Sequence, residues 1–182
     1  MYAHRPMAVI LLVGALSIPA QADEPPPNVD ATGSRPTIQF IQRYTTAAQE
    51  LVDEALGHLG IPYRFGGTSA VTGLDCSALV QRVFRNALGL DMPRTAAEMA
   101  QVGDRIGKDD LKPGDLVFFN TMRRTFSHVG IYIGNNQFLH APSAGGKVRV
   151  DDMSESYWLH RFTGARRVMP QAQGFRVLPP GR

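Results

Sequence analysis

The chain has 182 residues, 43% of them apolar and 19% charged, so it can bury one hydrophobic core and has the composition of a globular protein. Its formal net charge of +3 is too small to indicate nucleic-acid binding, which usually needs a strong basic excess. The single cysteine excludes an internal disulfide.

The N-terminal segment has the three parts of a secretory signal peptide. Arg5 gives a short positive region, residues 7–18 are apolar, and Ala20-Gln21-Ala22 has the small residues of a cleavage site. The apolar run is shorter than the roughly 20 residues that span a bilayer, so we expect a signal peptide at residues 1–22 that is cleaved. No cysteine lies near the cleavage site. We therefore predict export to the periplasm or the medium, without a stable membrane anchor.

Residues 23–45 begin with a run of prolines and show no clear hydrophobic period, so we predict a proline-containing linker. The next segment, residues 46–59, is predicted to be a helix. Thr46 and Gln49 fit a capping box, and apolar residues follow at helical spacing. Gly60 is the expected end of this helix.

A second predicted helix opens at the only cysteine, Cys76, continues to about Leu88 and is stopped by Gly89. Helix N-termini favour negative charge, and such positions lower a thiol pKa from about 8.5 to roughly 3.5–7.5. We therefore expect Cys76 to have a lowered pKa and to be available as a nucleophile. A buried, inert cysteine is the alternative that spacing alone leaves open.

The second half of the chain is predicted to be rich in strands. We predict strands at residues 116–119, 127–133, 137–141, 147–150 and 165–169, and short helices at residues 95–101 and 154–162. The turn at residues 134–136 makes the second and third of these strands a hairpin. Residues 170–182 form a basic tail that we expect to be solvated and disordered.

The hairpin carries two histidines. If Ile131 pairs with Leu139, then His128 and His140 lie diagonally on one face of the sheet, and the opposite face is a plausible core. Gly130 opposite His140 leaves room for an imidazole ring. A shift of one residue in the pairing would separate the two histidines.

One thiol at a helix N-terminus and two imidazoles on one sheet face predict a Cys–His nucleophile pair with a third polar group that orients it. A metal site is the competing use of Cys and His. Structural zinc sites need four ligands at short paired spacings, and the sequence has no CxxC or HxxxH. We therefore expect neither a metal nor another cofactor.

Several stretches of the chain match a known family. They are Leu74-Asp75-Cys76-Ser77, Met92-Pro93-Arg94-Thr95-Ala96, Pro113-Gly114-Asp115-Leu116-Val117-Phe118-Phe119 and Ser127-His128-Val129-Gly130-Ile131-Tyr132-Ile133-Gly134. On these stretches the chain resembles the NlpC/P60 cysteine peptidases over residues 46–168. Within that family it resembles most the Spr-type murein endopeptidases.

The resemblance implies an α+β, papain-like fold in which N-terminal helices pack on an antiparallel sheet, with a catalytic domain at residues 46–169. It also implies the roles of three side chains. Cys76 is the nucleophile, His128 is the general base, and His140 is the polar residue that orients His128.

Four further positions match family motifs around the nucleophile. Tyr63 matches a tyrosine near the scissile carbonyl, although a ring that only packs under the loop is the alternative. Asp75 and Ser77 are suited to helix capping, and they match positions that hold a free amino end of the peptide in some members. Arg94 is expected to fix its loop through salt bridges rather than to touch substrate.

The function that the resemblance implies is hydrolysis of amide bonds in peptidoglycan stem peptides by a monomeric enzyme. The bond is either the diaminopimelate–D-alanine cross-link or the γ-D-glutamyl–diaminopimelate bond within a stem. Two other classes of function stay open from the sequence. One is a non-catalytic cell-wall-binding or scaffold protein, and the other is a lipid acyltransferase related to permuted papain-like folds.

Overall fold

The computed structural model describes residues 38–121, 126–143 and 146–168. The predicted signal peptide, the linker up to residue 37 and the C-terminal tail lie outside these residues. Within the described part of the chain, no helix combines the length and apolar content that crossing a bilayer requires.

Among the described residues, three of the four helices precede the six strands of the large sheet. The helices are α1 (Ile38–Leu56), α2 (Cys76–Leu88), α3 (Ala96–Met99) and α4 (Ser156–Leu159), with a 3-10 turn at Lys108–Asp110. The strands are β1 (Thr68–Ser69), β2 (Gly73–Leu74), β3 (Asp104–Ile106), β4 (Leu116–Phe119), β5 (His128–Gly134), β6 (Gln137–His140), β7 (Arg149–Asp152) and β8 (Phe162–Arg167).

Six strands form one antiparallel sheet in the order β3-β8-β4-β5-β6-β7, and β1 and β2 form a small separate ribbon. Helix α2 packs on β5 of the large sheet, and α1 packs on α2. This is the α+β architecture expected from the sequence, with N-terminal helices against an antiparallel sheet.

Apolar side chains bury both faces of the sheet around β4, whose four residues are all fully buried. Alternate residues of a strand point to opposite faces. Leu116 and Phe118 therefore join the core under α2, while Val117 and Phe119 join an aromatic cluster on the other face. The continuous apolar run of this strand reflects its burial on both faces.

Helix α2 has the bounds that the sequence predicts, because both of its ends carry strong local signals. The Asp75 carboxylate caps the N-terminus by accepting a hydrogen bond from the Ala78 N–H at 2.8 Å. At the other end Gly89 has a φ of 66°, a left-handed conformation that favours glycine, and its N–H donates to the Arg85 carbonyl.

The prediction of a linker up to residue 45 is wrong for residues 38–45, which are helical, and Thr46 is therefore not an N-cap. Ile38 and Ile41 are mostly exposed, so these two apolar residues do not mark a buried helix face that a sequence pattern would show. The Thr45 hydroxyl donates back to the Ile41 carbonyl at 2.9 Å, as hydroxyls do inside helices.

The β5–β6 hairpin has the predicted pairing of Ile131 with Leu139. Its turn is shorter than predicted: Gly134 pairs with Gln137, and only Asn135 and Asn136 lie between the strands, both with positive φ. An irregularity in the ladder between Tyr132 and Gly134 absorbs the difference and keeps the register.

The close approach of Gly130 to β6 gives a stability prediction. A Cβ at this glycine would lie 2.7 Å from a ring carbon of Phe138 and 2.9 Å from the Leu139 carbonyl oxygen. We expect Gly130→Ala to lower the free energy of unfolding by about 1–3 kcal/mol through overpacking, measured by urea denaturation.

Gly107→Ala is the matched control. Its Cβ would meet only the end of the Asp110 side chain, at 3.2 Å, and its φ of −67° suits alanine. We expect a change within about 0.5 kcal/mol. Equal losses of stability in the two variants would contradict the tight contact between β5 and β6.

Candidate active site

The Cys76 thiol lies at the start of β5. Cys76 is the first residue of α2 and is partly exposed. The backbone N–H of Val129 is near enough to the thiol to favour its charged form, as are the N–H groups of Ser77 and of Cys76 itself. Because Val129 directly follows His128 in the chain, this contact places the sulfur beside the first residues of the strand that carries the first histidine.

Burial raises the pKa of the Cys76 thiol, and the negative charge of Asp75 raises it further. The hydrogen bond from the Val129 N–H acts in the opposite direction without reversing the shift. The expected lowering of this pKa is therefore wrong. The helix N-terminus does favour a thiolate, but removing the sulfur from water disfavours that charge more.

His128 and His140 lie together on one face of the sheet, as the hairpin pairing predicts. Nε2 of His128 and Nδ1 of His140 are 2.8 Å apart, and the two rings are nearly perpendicular, at 86°. His128 is 6% exposed and His140 is fully buried. The two imidazoles therefore share one hydrogen bond in a site that excludes most water.

Both imidazoles are held neutral. Burial, together with the neighbouring His140, lowers the pKa of His128 from its ordinary value to about 3. Burial also lowers the pKa of His140, although the Asp151 carboxylate opposes that shift. A neutral imidazole has one N–H donor and one acceptor nitrogen, which lets these rings bond to each other without like-charge repulsion.

Asp151 extends the chain of hydrogen bonds, and sequence reasoning missed it. Its Oδ2 is 3.0 Å from Nε2 of His140. Arg149 donates to both carboxylate oxygens at 2.8 and 2.9 Å, and the Trp158 indole N–H donates at 3.2 Å. Burial alone would raise the pKa of Asp151, but the hydrogen bonds from His140 and Arg149 outweigh it and hold the pKa below its ordinary value.

A longer assignment of the predicted strand at residues 147–150 would have included Asp151. The predicted strand covered residues 147–150, whereas β7 continues to residue 152. In the observed ladder His140 pairs with Arg149, and Phe138 pairs with Asp151. Extending the strand would have placed Asp151 on the histidine face by simple alternation.

Trp158 from α4 packs against both imidazoles. Its ring stacks on His128 at a centroid distance of 5.8 Å and an angle of 23°, and it meets His140 edge-on at 4.9 Å. Phe119 and Phe138 surround the same rings. These aromatic contacts supply the burial that keeps the imidazoles neutral.

Asp75, Ser77 and Arg94 form a second polar group beside the thiol. Arg94 donates to both oxygens of Asp75, at 2.6 and 3.1 Å, and to the Ser77 hydroxyl at 2.8 Å. Burial would raise the pKa of Asp75, but hydrogen bonds from Arg94 and the Ala78 N–H lower it overall. Arg94 thus has the predicted bridging contacts, and Asp75 is a charged helix cap.

Tyr63 lies next to the nucleophile. Its backbone N–H donates to the Gly146 carbonyl at 2.7 Å, and the residue is bridged to Leu74 in β2. Burial raises the pKa of Tyr63, and negative charge on Cys76 or Asp75 would raise it further. The phenol therefore stays protonated near neutral pH and keeps its O–H as a hydrogen-bond donor.

Metal ligands are not grouped at this site or elsewhere in the described residues. Within residues 38–121, 126–143 and 146–168, no three His, Cys, Asp or Glu side chains are arranged to hold a metal ion.

Comparisons with known proteins agree on one family. A family model described as the NlpC/P60 family matches residues 60–167. Murein DD-endopeptidase MepH from Escherichia coli K12 is 42% identical over 132 residues, which are 71% of this chain and 48% of MepH. Murein DD-endopeptidase MepS/Murein LD-carboxypeptidase from the same organism is 36% identical over 174 residues, 91% of each chain.

Two further comparisons concern a relative from Bacillus subtilis and a solved structure. The γ-DL-glutamyl hydrolase of Bacillus subtilis is 45% identical over 123 residues, 67% of this chain but 30% of that protein. A crystal structure of an NlpC/P60 family protein from Bacillus cereus has a TM-score of 0.63 and 30% identity, covering 68% of this chain and 40% of that one. The chain thus spans about half of MepH and under a third of the glutamyl hydrolase.

The low pKa of His128 predicts how stability depends on pH. The unfolded imidazole takes up a proton below about pH 6.5, whereas the folded one stays neutral to about pH 3. Between these values the unfolded state binds more protons, so stability falls as the pH falls. We expect a loss of about 2 kcal/mol from this residue between pH 7 and pH 5, measured by urea denaturation.

His128→Gln is the variant that isolates this effect. It removes the titrating ring, so its loss of stability between pH 7 and pH 5 should be smaller than that of the wild type by about the same 2 kcal/mol. An identical pH dependence in the two proteins would mean that the imidazole of His128 is not kept neutral by burial.

The raised pKa of Cys76 predicts its reactivity. We expect the rate of alkylation by iodoacetamide to rise steadily through about pH 8.5, because only the thiolate reacts and little of it exists at rest. Mass spectrometry of the modified protein gives the rate. A plateau of high reactivity between pH 5 and pH 7 would indicate a resting thiolate–imidazolium pair and would contradict the structure.

Proposed function

The chain belongs to the NlpC/P60 family, and from this membership we propose that it is a cysteine-type endopeptidase that hydrolyses amide bonds in peptidoglycan peptides. Two relatives, MepH and MepS, are named murein DD-endopeptidases, which supports the substrate class. The observation that carries the proposal is the thiol of Cys76 held at the start of β5, beside the hydrogen-bonded pair His128 and His140.

The proposed reaction uses His128 as the general base. Its Nε2 is bonded to His140, so Nδ1 is the nitrogen that takes the proton from the thiol. The thiolate of Cys76 attacks the carbonyl carbon, and His128 then passes the proton to the nitrogen of the leaving amine. The acyl group remains on sulfur as a thioester. Water, losing a proton to His128, hydrolyses the thioester and restores the thiol.

This scheme fits the neutral resting pair. A buried thiol and a neutral imidazole carry no charge before substrate binds, so charge separation occurs only when the thiolate forms. We propose that His128 accepts the proton as the sulfur attacks, and that the site does not store a thiolate. Hydrogen-bond donors near the carbonyl oxygen would then stabilise the negative charge that develops on it.

We propose that Tyr63 and the Cys76 backbone N–H supply those donors. Burial raises the pKa of Tyr63, so its hydroxyl stays protonated, and charge on Cys76 raises this pKa further. One such donor is typically worth about 3 kcal/mol in the transition state. Tyr63 would thus act on the oxyanion rather than on the thiol proton.

We also propose that Asp75 and Ser77 contribute to binding a polar end of the peptide. Both side chains are buried and already engaged by Arg94, so they form a preorganised group beside the nucleophile. Because Arg94 neutralises Asp75, the group as a whole carries little net charge. It therefore suits hydrogen bonding to the substrate better than capture of a strong charge.

The bond that we favour is the diaminopimelate–D-alanine cross-link, which the DD-endopeptidase names of MepH and MepS support. The γ-D-glutamyl–diaminopimelate stem bond is the second candidate, since one relative is a γ-DL-glutamyl hydrolase. We propose that residues 1–22 direct export, which would bring the enzyme to this substrate in the periplasm.

Digestion of purified sacculi tests the proposal. The purified protein is incubated with sacculi, and the released muropeptides are identified by mass spectrometry. We expect conversion of cross-linked dimers to monomers, whereas cleavage of the stem bond would release peptides that start with diaminopimelate. Cys76→Ala and His128→Ala should each reduce the rate by about 1,000-fold or more.

His160→Ala is the matched control for the histidine variant. His160 is exposed at the end of α4, and its Nδ1 is 2.6 Å from the Ser156 carbonyl oxygen, so we expect activity to be unchanged. Absence of products with the wild type, or equal release by Cys76→Ala, would end the peptidase proposal. Turnover of lipid esters without products from sacculi would favour acyl transfer instead.

A further inference from the structure

We propose that Asp151 is a positioning residue that fixes the tautomers of both active-site imidazoles, so that Nδ1 of His128 faces the thiol without a proton. This inference rests on the proposed function, because it assigns a role within that reaction. It starts from the continuous chain of hydrogen bonds that links Asp151, His140 and His128.

The direction of every hydrogen bond in this chain follows from the carboxylate. An ionised Asp151 can only accept, so Nε2 of His140 must carry a proton and donate it. A neutral His140 then has a bare Nδ1, which can only accept. Nε2 of His128 must therefore be the donor across the 2.8 Å contact, and Nδ1 of His128 is left as an acceptor.

The opposite tautomer would disable the base. If Nδ1 of His140 carried the proton, it would donate to Nε2 of His128, and a neutral His128 would then hold its own proton on Nδ1. That nitrogen could not take a proton from Cys76. The position of a single proton on His140 thus decides whether His128 can act, and Asp151 determines that position.

The carboxylate is itself held in place. Arg149 bonds to both of its oxygens through two guanidinium nitrogens, which fixes the plane of the group. The Trp158 indole donates to Oδ2 and stacks on His128. Asp151 is therefore linked to His128 through two side chains. One is His140, which bonds to both residues, and the other is Trp158, whose indole bonds to Asp151 and stacks on His128.

The charges around the pair are consistent with this role. Asp151 is the acid that contacts His140, and Arg149 is the cation that contacts Asp151, with Glu155 near the Arg149 charge. The Asp151 carboxyl stays ionised near neutral pH because hydrogen bonds lower its pKa. Since burial lowers the pKa of both histidines, the relevant choice at pH 7 is between neutral tautomers and not between charge states.

Three variants test the proposal. Asp151→Leu removes the acceptor at similar volume, and Asp151→Asn keeps an amide oxygen that can accept from His140. Asp152→Asn is the matched control, since Asp152 bonds to Ser154 and not to either imidazole. Kinetics on a soluble cross-linked muropeptide give kcat and KM, and ¹⁵N-histidine labelling gives the tautomer of each ring by NMR.

We expect Asp151→Leu to lower kcat by about 100-fold or more and to change KM less than about threefold, because the base is affected rather than substrate binding. We expect Asp151→Asn to lower kcat by about tenfold and Asp152→Asn to lower it by less than about twofold. The deficit in kcat should be constant from pH 6 to pH 9, since the ratio of two neutral tautomers does not depend on pH.

The NMR result is independent of activity. In the wild type we expect the proton of His140 on Nε2, and in Asp151→Leu a mixture of tautomers. A wild-type proton on Nδ1 of His140 would overturn the inference even if no substrate were hydrolysed. An active wild type with unchanged kcat in a folded Asp151→Asn and Asp151→Leu would also overturn it while leaving the proposed peptidase intact. If Asp151→Leu fails to fold, the position of the proton on His140 in the wild type, read by NMR, decides the question.

Discussion

Burial of two imidazoles that bond to each other is the constraint on which the site depends. Two positive charges in this contact would repel and lack solvation, and burial lowers the pKa of both rings, so the pair is neutral near pH 7. The hairpin places the rings on one face, Gly130 allows β6 to approach, and Trp158 covers both rings from α4. Each of these features helps to bury the neutral pair of His128 and His140.

The same burial determines the state of the nucleophile. A helix N-terminus usually favours a thiolate, but here the sulfur is removed from water and lies near the Asp75 carboxylate. The result is a resting thiol beside a neutral base. In the reaction that we propose, reactivity depends on which nitrogen of His128 carries the proton, and Asp151, two hydrogen bonds away, sets that position.

Local signals in the sequence predicted the parts of the site that local structure determines. The N-cap of α2 and the pairing of the β5–β6 hairpin follow from neighbouring residues, so the start of the helix at Cys76 and the juxtaposition of His128 and His140 were predicted. The family motifs added Tyr63 and the Asp75–Ser77 pair as proposed site residues.

Properties set by tertiary packing were not predictable in the same way. The start of α1 was missed because its first turns are exposed, and β7 was placed short of Asp151 because its extent depends on pairing with β6. The pKa of Cys76 was predicted in the wrong direction, since a helix position says nothing about how much water reaches the sulfur.

Neutron diffraction from a crystal exchanged into heavy water at pH 7 tests the central claim most directly, because it locates each exchangeable deuteron. The account predicts deuterons on Nε2 of His140, on Nε2 of His128 and on the Cys76 sulfur, with none on either Nδ1. A deuteron on Nδ1 of His128 opposite a bare sulfur would show a charged resting pair and would contradict the account.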